Sequence, residues 1–154
     1  MDFSRLQRGE YIGFVGVGIL LASLFLNWFG TGDSKNGEIN GTPYPDGANA
    51  FDVYNTLDWL LVAACIAPFV LAWIVVRGHK LTWRPGEITM IVGMTAFALI
   101  ILNGVILGRP GEPDSEIEIK IGYLVGLIGS AMICAGGIIR QAQGGRNRKP
   151  PGTL

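Results

Sequence analysis

Five polar side chains, Asn27, Asp52, Asp58, Asn103 and Arg109, are the best candidates for chemistry in this chain. Each lies close to one end of a long apolar stretch, and alternating chain direction would bring all five to a similar depth. Two carboxylates facing a guanidinium would make a shallow vestibule able to attract a small cation or solute, with Arg109 opposing Asp52 or Asp58. The plainer reading is structural. Asn27 and Asn103 would bond between helices at about 0.6 kcal/mol each. Asp58 would cap the helix that it begins.

Other chemistry is poorly supplied. Glu112, Asp114, Glu116 and Glu118 could hold a divalent cation through carboxylate oxygens, but they lack the D-x-D-x-D-G spacing of a calcium loop. One histidine, His79, and two distant cysteines, Cys65 and Cys134, cannot make a zinc or haem site of ordinary ligand number. No nucleophile stands near a base, so no enzyme, metal or cofactor is expected. Asn40-Gly41-Thr42 fits a glycosylation sequon.

The elements that position these residues dominate the sequence. Tyr11–Phe29, Leu57–Val76, Ile88–Leu107 and Ile121–Ile139 are apolar runs of about 19 to 20 residues. At about 1.5 Å per residue, each matches a hydrocarbon core roughly 30 Å thick. No ionisable side chain falls near the middle of any run, which argues against proton relays and intramembrane ligand sites. The 154 residues leave room for one domain, an all-α antiparallel bundle of four transmembrane helices. Arg5 and Arg8 precede the first run as a signal peptide's basic region would, but the run is long and lacks a cleavage site. It reads as a retained helix.

A net charge of zero conceals a sharp segregation. Arg5, Arg8, Arg77, Lys80, Arg84, Arg140, Arg146, Arg148 and Lys149 fall on one side, with only Asp2, Glu10 and Glu87 as acids. The other side has Lys35, Arg109 and Lys120 among nine acids. Nine basic residues against three put both termini in the cytoplasm of a multi-pass cell-membrane protein. Trp28, Trp59 and Tyr123 would then mark the outer interface, and Tyr11, Trp73 and Trp83 the inner one.

Small residues form stripes along the helices. Gly13, Gly16, Leu20, Ser23 and Asn27 share one face of the first helix; Thr89, Gly93, Ala96, Ile100 and Asn103 share one face of the third. The fourth carries Gly122, Gly129 and Gly136 at intervals of seven, and Gly122, Gly126, Ser130 and Cys134 at intervals of four. Such faces admit close helix approach, inside the bundle or against a partner. Glu116–Ile121 alternates charged and apolar residues, either as a short extracellular strand pairing with Gly37–Asn40 or as the frayed start of the fourth helix. Residues 140–154 read as a disordered tail. Its Arg140, Arg146, Arg148 and Lys149 would meet anionic lipid at about 1 kcal/mol each rather than nucleic acid.

Leu24-Phe-Leu-Asn-Trp28, Ala50-Phe-Asp-Val-Tyr-Asn-Thr-Leu-Asp58 and Gly122-Tyr-Leu-Val-Gly-Leu-Ile-Gly129, with Ala135-Gly-Gly137, occur together here. The combination resembles uncharacterised small four-helix membrane proteins of actinobacterial type. That resemblance implies a bacterial cell-membrane setting and no activity. The expected function is a non-enzymatic scaffold or accessory subunit. It would engage another membrane protein, or itself, through the glycine-rich face and the outer loops. The alternative is a homo-oligomeric channel or cation pore.

Overall fold

The computed structural model describes residues 8–34, 36–78 and 84–146, with side chains through 143 in the last stretch. Lys35, His79, Lys80, Trp83, Arg148, Lys149 and the Arg146 side chain lie outside the described residues. So does the part of the expected tail beyond 146.

The chain is mostly helical. Its elements are α1 (Arg8–Leu24), β1 (Asn27–Gly30), β2 (Ala48–Asn49), a single turn α2 (Ala50–Val53), α3 (Leu57–Val76), α4 (Pro85–Ile101), β3 (Glu118–Ile119) and α5 (Ile121–Arg146). Three helical stretches, Leu57–Val76, Pro85–Ile106 and Ile121–Gln143, are long and apolar enough to cross a membrane. The fourth, α1, has 17 described residues, about 26 Å at about 1.5 Å each.

Two expected boundaries move. The first apolar run does not stay helical to Phe29. Phe25 N and Leu26 N donate to Ala22 O and Ser23 O, tightening the last turn. Trp28 Nε1 then donates to Ser23 O at 2.7 Å, and Asn27–Gly30 leaves as the central strand of a sheet ordered β2-β1-β3. At the other end, α5 continues to Arg146, so residues 140–146 are helical and not the start of a disordered tail.

The helices form a ring in which α5 makes the largest interfaces, with α1 and with α4. Contacts of α3 with α1 and with α4 close the ring and are much smaller. Inward stripes have helical spacing: Leu57, Leu61, Cys65, Pro68, Ala72 and Val76 on α3, and Gly86, Thr89, Gly93, Ala96 and Ile100 on α4. Leu20, Leu61, Ile100 and Ile133 are fully buried along the axis. Most large apolar side chains on the outward faces are exposed, including Val15, Ile66, Val70, Met94 and Ile128.

One end of the bundle carries a folded cap. The alternating segment does become a strand, but its partner is not Gly37–Asn40. Ile119 and Glu118 pair with Phe29 and Gly30 of β1. Glu38 instead exchanges both backbone bonds with Glu112, joining the two loops. Asn40 and Gly41, with φ of 52° and 74°, make a two-residue turn closed by reciprocal bonds between Ile39 and Thr42.

Candidate functional site

The five polar candidates sit at or near the capped end, and all but Asp58 are engaged locally. Asn27 is in β1, beyond the helix expected to carry it, and its Nδ2 donates to Asp46 O at 2.8 Å. Asp52 accepts from Asn49 N in the capping box of α2. Asn103 Nδ2 donates to Leu99 O within its own helix, and Arg109 Nη1 donates to Ile117 O at 2.5 Å. Asp58 is buried in the first turn of α3, with Oδ1 unpartnered among the described residues. No described hydrogen bond or ion pair joins any one of the five to another, so the expected pairing of Arg109 with Asp52 or Asp58 does not form.

An aromatic knot ties the cap to the helices. Trp28 meets Tyr54 and Tyr123 edge-on, with ring centres 6.0 and 5.8 Å apart, and Phe29 packs on both tyrosines. Trp28 and Tyr123 are therefore core residues and not interfacial anchors, whereas Trp59, Tyr11 and Trp73 are exposed. Beside the knot, α4 widens into a π-helical turn, Leu102–Ile106, closed by Leu107 N donating to Leu102 O. The change of pitch redirects backbone carbonyls. Two tyrosine hydroxyls donate to them: Tyr123 to Ile100 O and Tyr54 to Asn103 O, both at 3.1 Å. Burial raises the Tyr54 phenol well above its ordinary pKa, and Tyr123 adds to the shift.

The glycine faces point inward. A Cβ on Gly129 would lie 2.5 Å from Leu20 N, one on Gly16 2.8 Å from Ile133 N, and one on Gly136 2.6 Å from Gly13 N. Gly93 faces the backbone of Cys134; Gly122 and Gly126 lie against Trp28. Ser23 and Ser130 are buried and donate to the carbonyls of Leu20 and Leu127 in their own helices. Because both α1 and α4 pack on α5, the two small-residue rows of α5 are each covered from within. Little of the glycine face remains for a partner.

Arg140 is also reassigned. Its guanidinium meets the Glu10 carboxylate at 2.5 Å between α1 and α5, with the side chains 11% and 5% exposed. Antiparallel packing brings residues just outside two apolar runs to one depth. Glu10 just before the first run and Arg140 just after the fourth carry that signal in the sequence.

Two hollows remain. A cleft of about 560 Å³ at the capped end is lined by residues including Gly104, Val105, Arg109, Asp114 and Ser115. A second hollow of about 290 Å³ is almost wholly apolar and lies between α3 and α4, against Leu60, Ala63, Ala67, Val92, Thr95 and Leu99. No protein family, curated protein or solved structure matches the chain.

Proposed function

We propose that the chain is a four-span integral protein of the cell membrane, both termini cytoplasmic, acting as a non-enzymatic scaffold or accessory subunit. The setting is supported by three helices of spanning length, by α1 beside them and by the apolar outward faces. Nine basic residues against three support the orientation, which makes the cap extracellular.

The α3–α4 groove carries the partner reading. Glycine seams seal α5 against α1 and α4, while α3 stands off from α4 over a floor of alanines. Small side chains facing a gap are what an incoming transmembrane helix needs for close approach. A partner helix in this groove would complete the packing that α3 lacks.

A photo-crosslinker placed at Ala67, in the groove, tests this in the native membrane. The expected product is a covalent protein adduct from Ala67 and none from Ile66 on the outward face. Adducts to lipid alone from both positions would overturn the partner reading. The pore alternative has less support, because Leu20, Leu61, Ile100 and Ile133 fill the bundle axis and a conducting path would have to run between copies.

A further inference from the structure

The cleft at the capped end combines features that the scaffold reading does not use. Its walls come from the π-helical turn of α4 and from the loop that follows it. Single π turns in a helix recur at functional sites, because they displace backbone and side chains from the regular helical surface. Here the turn places Gly104 and Val105 on the cleft, with Arg109 just beyond.

The cleft holds one cation, one anion and a hydroxyl. Arg109 bonds Ile117 O through Nη1, so a guanidinium with five N–H donors keeps others for a ligand. The Asp114 carboxylate folds back over the Gly108 backbone: a Cβ on Gly108 would lie 2.5 Å from its Oδ2. Ser115 follows on the same wall. Beside this polar group, Val105 and Ile119 line the same cleft and are 62% and 37% exposed, giving it an apolar wall.

We propose that this cleft binds the headgroup of a phospholipid carrying a primary ammonium, phosphatidylethanolamine in chemical class. Arg109 and Ser115 would take the phosphate oxygens, Asp114 the ammonium, and the wall of Val105 and Ile119 the start of an acyl chain. Guanidinium recognises phosphate through directed, charge-assisted bonds. The apolar wall selects a lipid over a free phosphodiester, because a soluble headgroup would leave Val105 and Ile119 without an apolar partner. This inference rests on the membrane setting proposed above.

Native mass spectrometry of the purified full chain in detergent, titrated with phosphatidylethanolamine, tests it. One lipid should be retained per chain, and Arg109→Gln should weaken retention about tenfold, as loss of a charge-assisted bond does. Asp114→Asn should abolish the preference for phosphatidylethanolamine over phosphatidylcholine, whose quaternary ammonium donates no hydrogen bond. Asp114 makes no described side-chain bond, so this arm decides even if Arg109→Gln fails to fold. Unchanged lipid retention in folded Arg109→Gln, or unchanged selectivity in Asp114→Asn, overturns the proposal. Displacement by equimolar glycerophosphoethanolamine overturns the lipid as source. Release from membranes by alkaline carbonate would remove the membrane setting itself; a chain that resists carbonate yet retains no lipid overturns this site alone.

Discussion

Arg140 of α5 and Glu10 of α1 form an ion pair at 2.5 Å at the end of the bundle opposite the cap, nearly closed off from solvent. Two glycine-faced backbones enclose it, with Gly9 against Gly136 and Gly136 against Gly13. Removing the carboxylate from such a pair leaves the buried cation without its counter-charge, whereas replacing both with apolar groups is often tolerated.

Glu10→Leu should therefore destabilise the protein by about 3–5 kcal/mol, while Glu10→Leu combined with Arg140→Leu recovers most of that loss. Unfolding in mixed micelles, followed by circular dichroism, checks both. An equal loss in the single and double variants would show that the charges are not coupled.

Gly129→Ala should destabilise by about 1–3 kcal/mol, because the added carbon would collide with backbone that cannot move aside. Gly18→Ala provides the contrast. Nothing lies within 4 Å of its Cβ position, so the helix should gain about 0.5–1 kcal/mol. Thermal unfolding of the two variants should move in opposite directions.

Tyr54→Phe removes the bond to Asn103 O and should cost about 1 kcal/mol. The variant also tests the raised phenol. An unfolded chain loses this proton near pH 10, as a free tyrosine does, while the folded protein keeps it. Above that pH the unfolded state binds fewer protons, so stability falls as pH rises. Melting temperature measured from pH 9 to 11, on the scale of a phenol's ordinary titration, should decline less steeply in Tyr54→Phe than in the parent.

Asn40 holds the left-handed turn of its hairpin, and its Nδ2 reaches Asp52 O and Val53 O. Asn40→Gly should keep the turn and lose only the side-chain bonds; Asn40→Val should lose both. Hydrogen exchange at Thr42 N–H, bonded to Ile39 O, reads the difference as faster exchange in the valine variant.

The helix positions were legible because period and length act over many residues. Leu57–Val76 matches its element end to end, and the stripe from Thr89 to Ile100 is buried at Thr89, Gly93, Ala96 and Ile100. The Asn40-Gly41 dipeptide also has the composition that favours the two-residue turn it makes. Leu24–Phe29 misled because an unbroken apolar run has the same appearance in a helix and in a buried strand. Only the bond from Trp28 to Ser23 and pairing with the distant Ile119 separate the two. The candidate site was the least legible part. Asn27, Asp52, Asn103 and Arg109 share a similar depth, yet each has a carbonyl or amide nearby that spacing along the chain does not reveal. A π turn at Leu102–Ile106 carries no composition signal at all.

The position of α5 between α1 and α4 bears on how the protein is made. A ribosome delivers α1, α3 and α4 before α5, and those three share only small interfaces with one another. Until α5 emerges, the glycine rows of α1 and α4 have no backbone to rest against. The last of the four helices is thus the keystone, and closure of the bundle waits for its release from the ribosome. A truncation within α5 would leave three helices vulnerable to quality-control proteolysis.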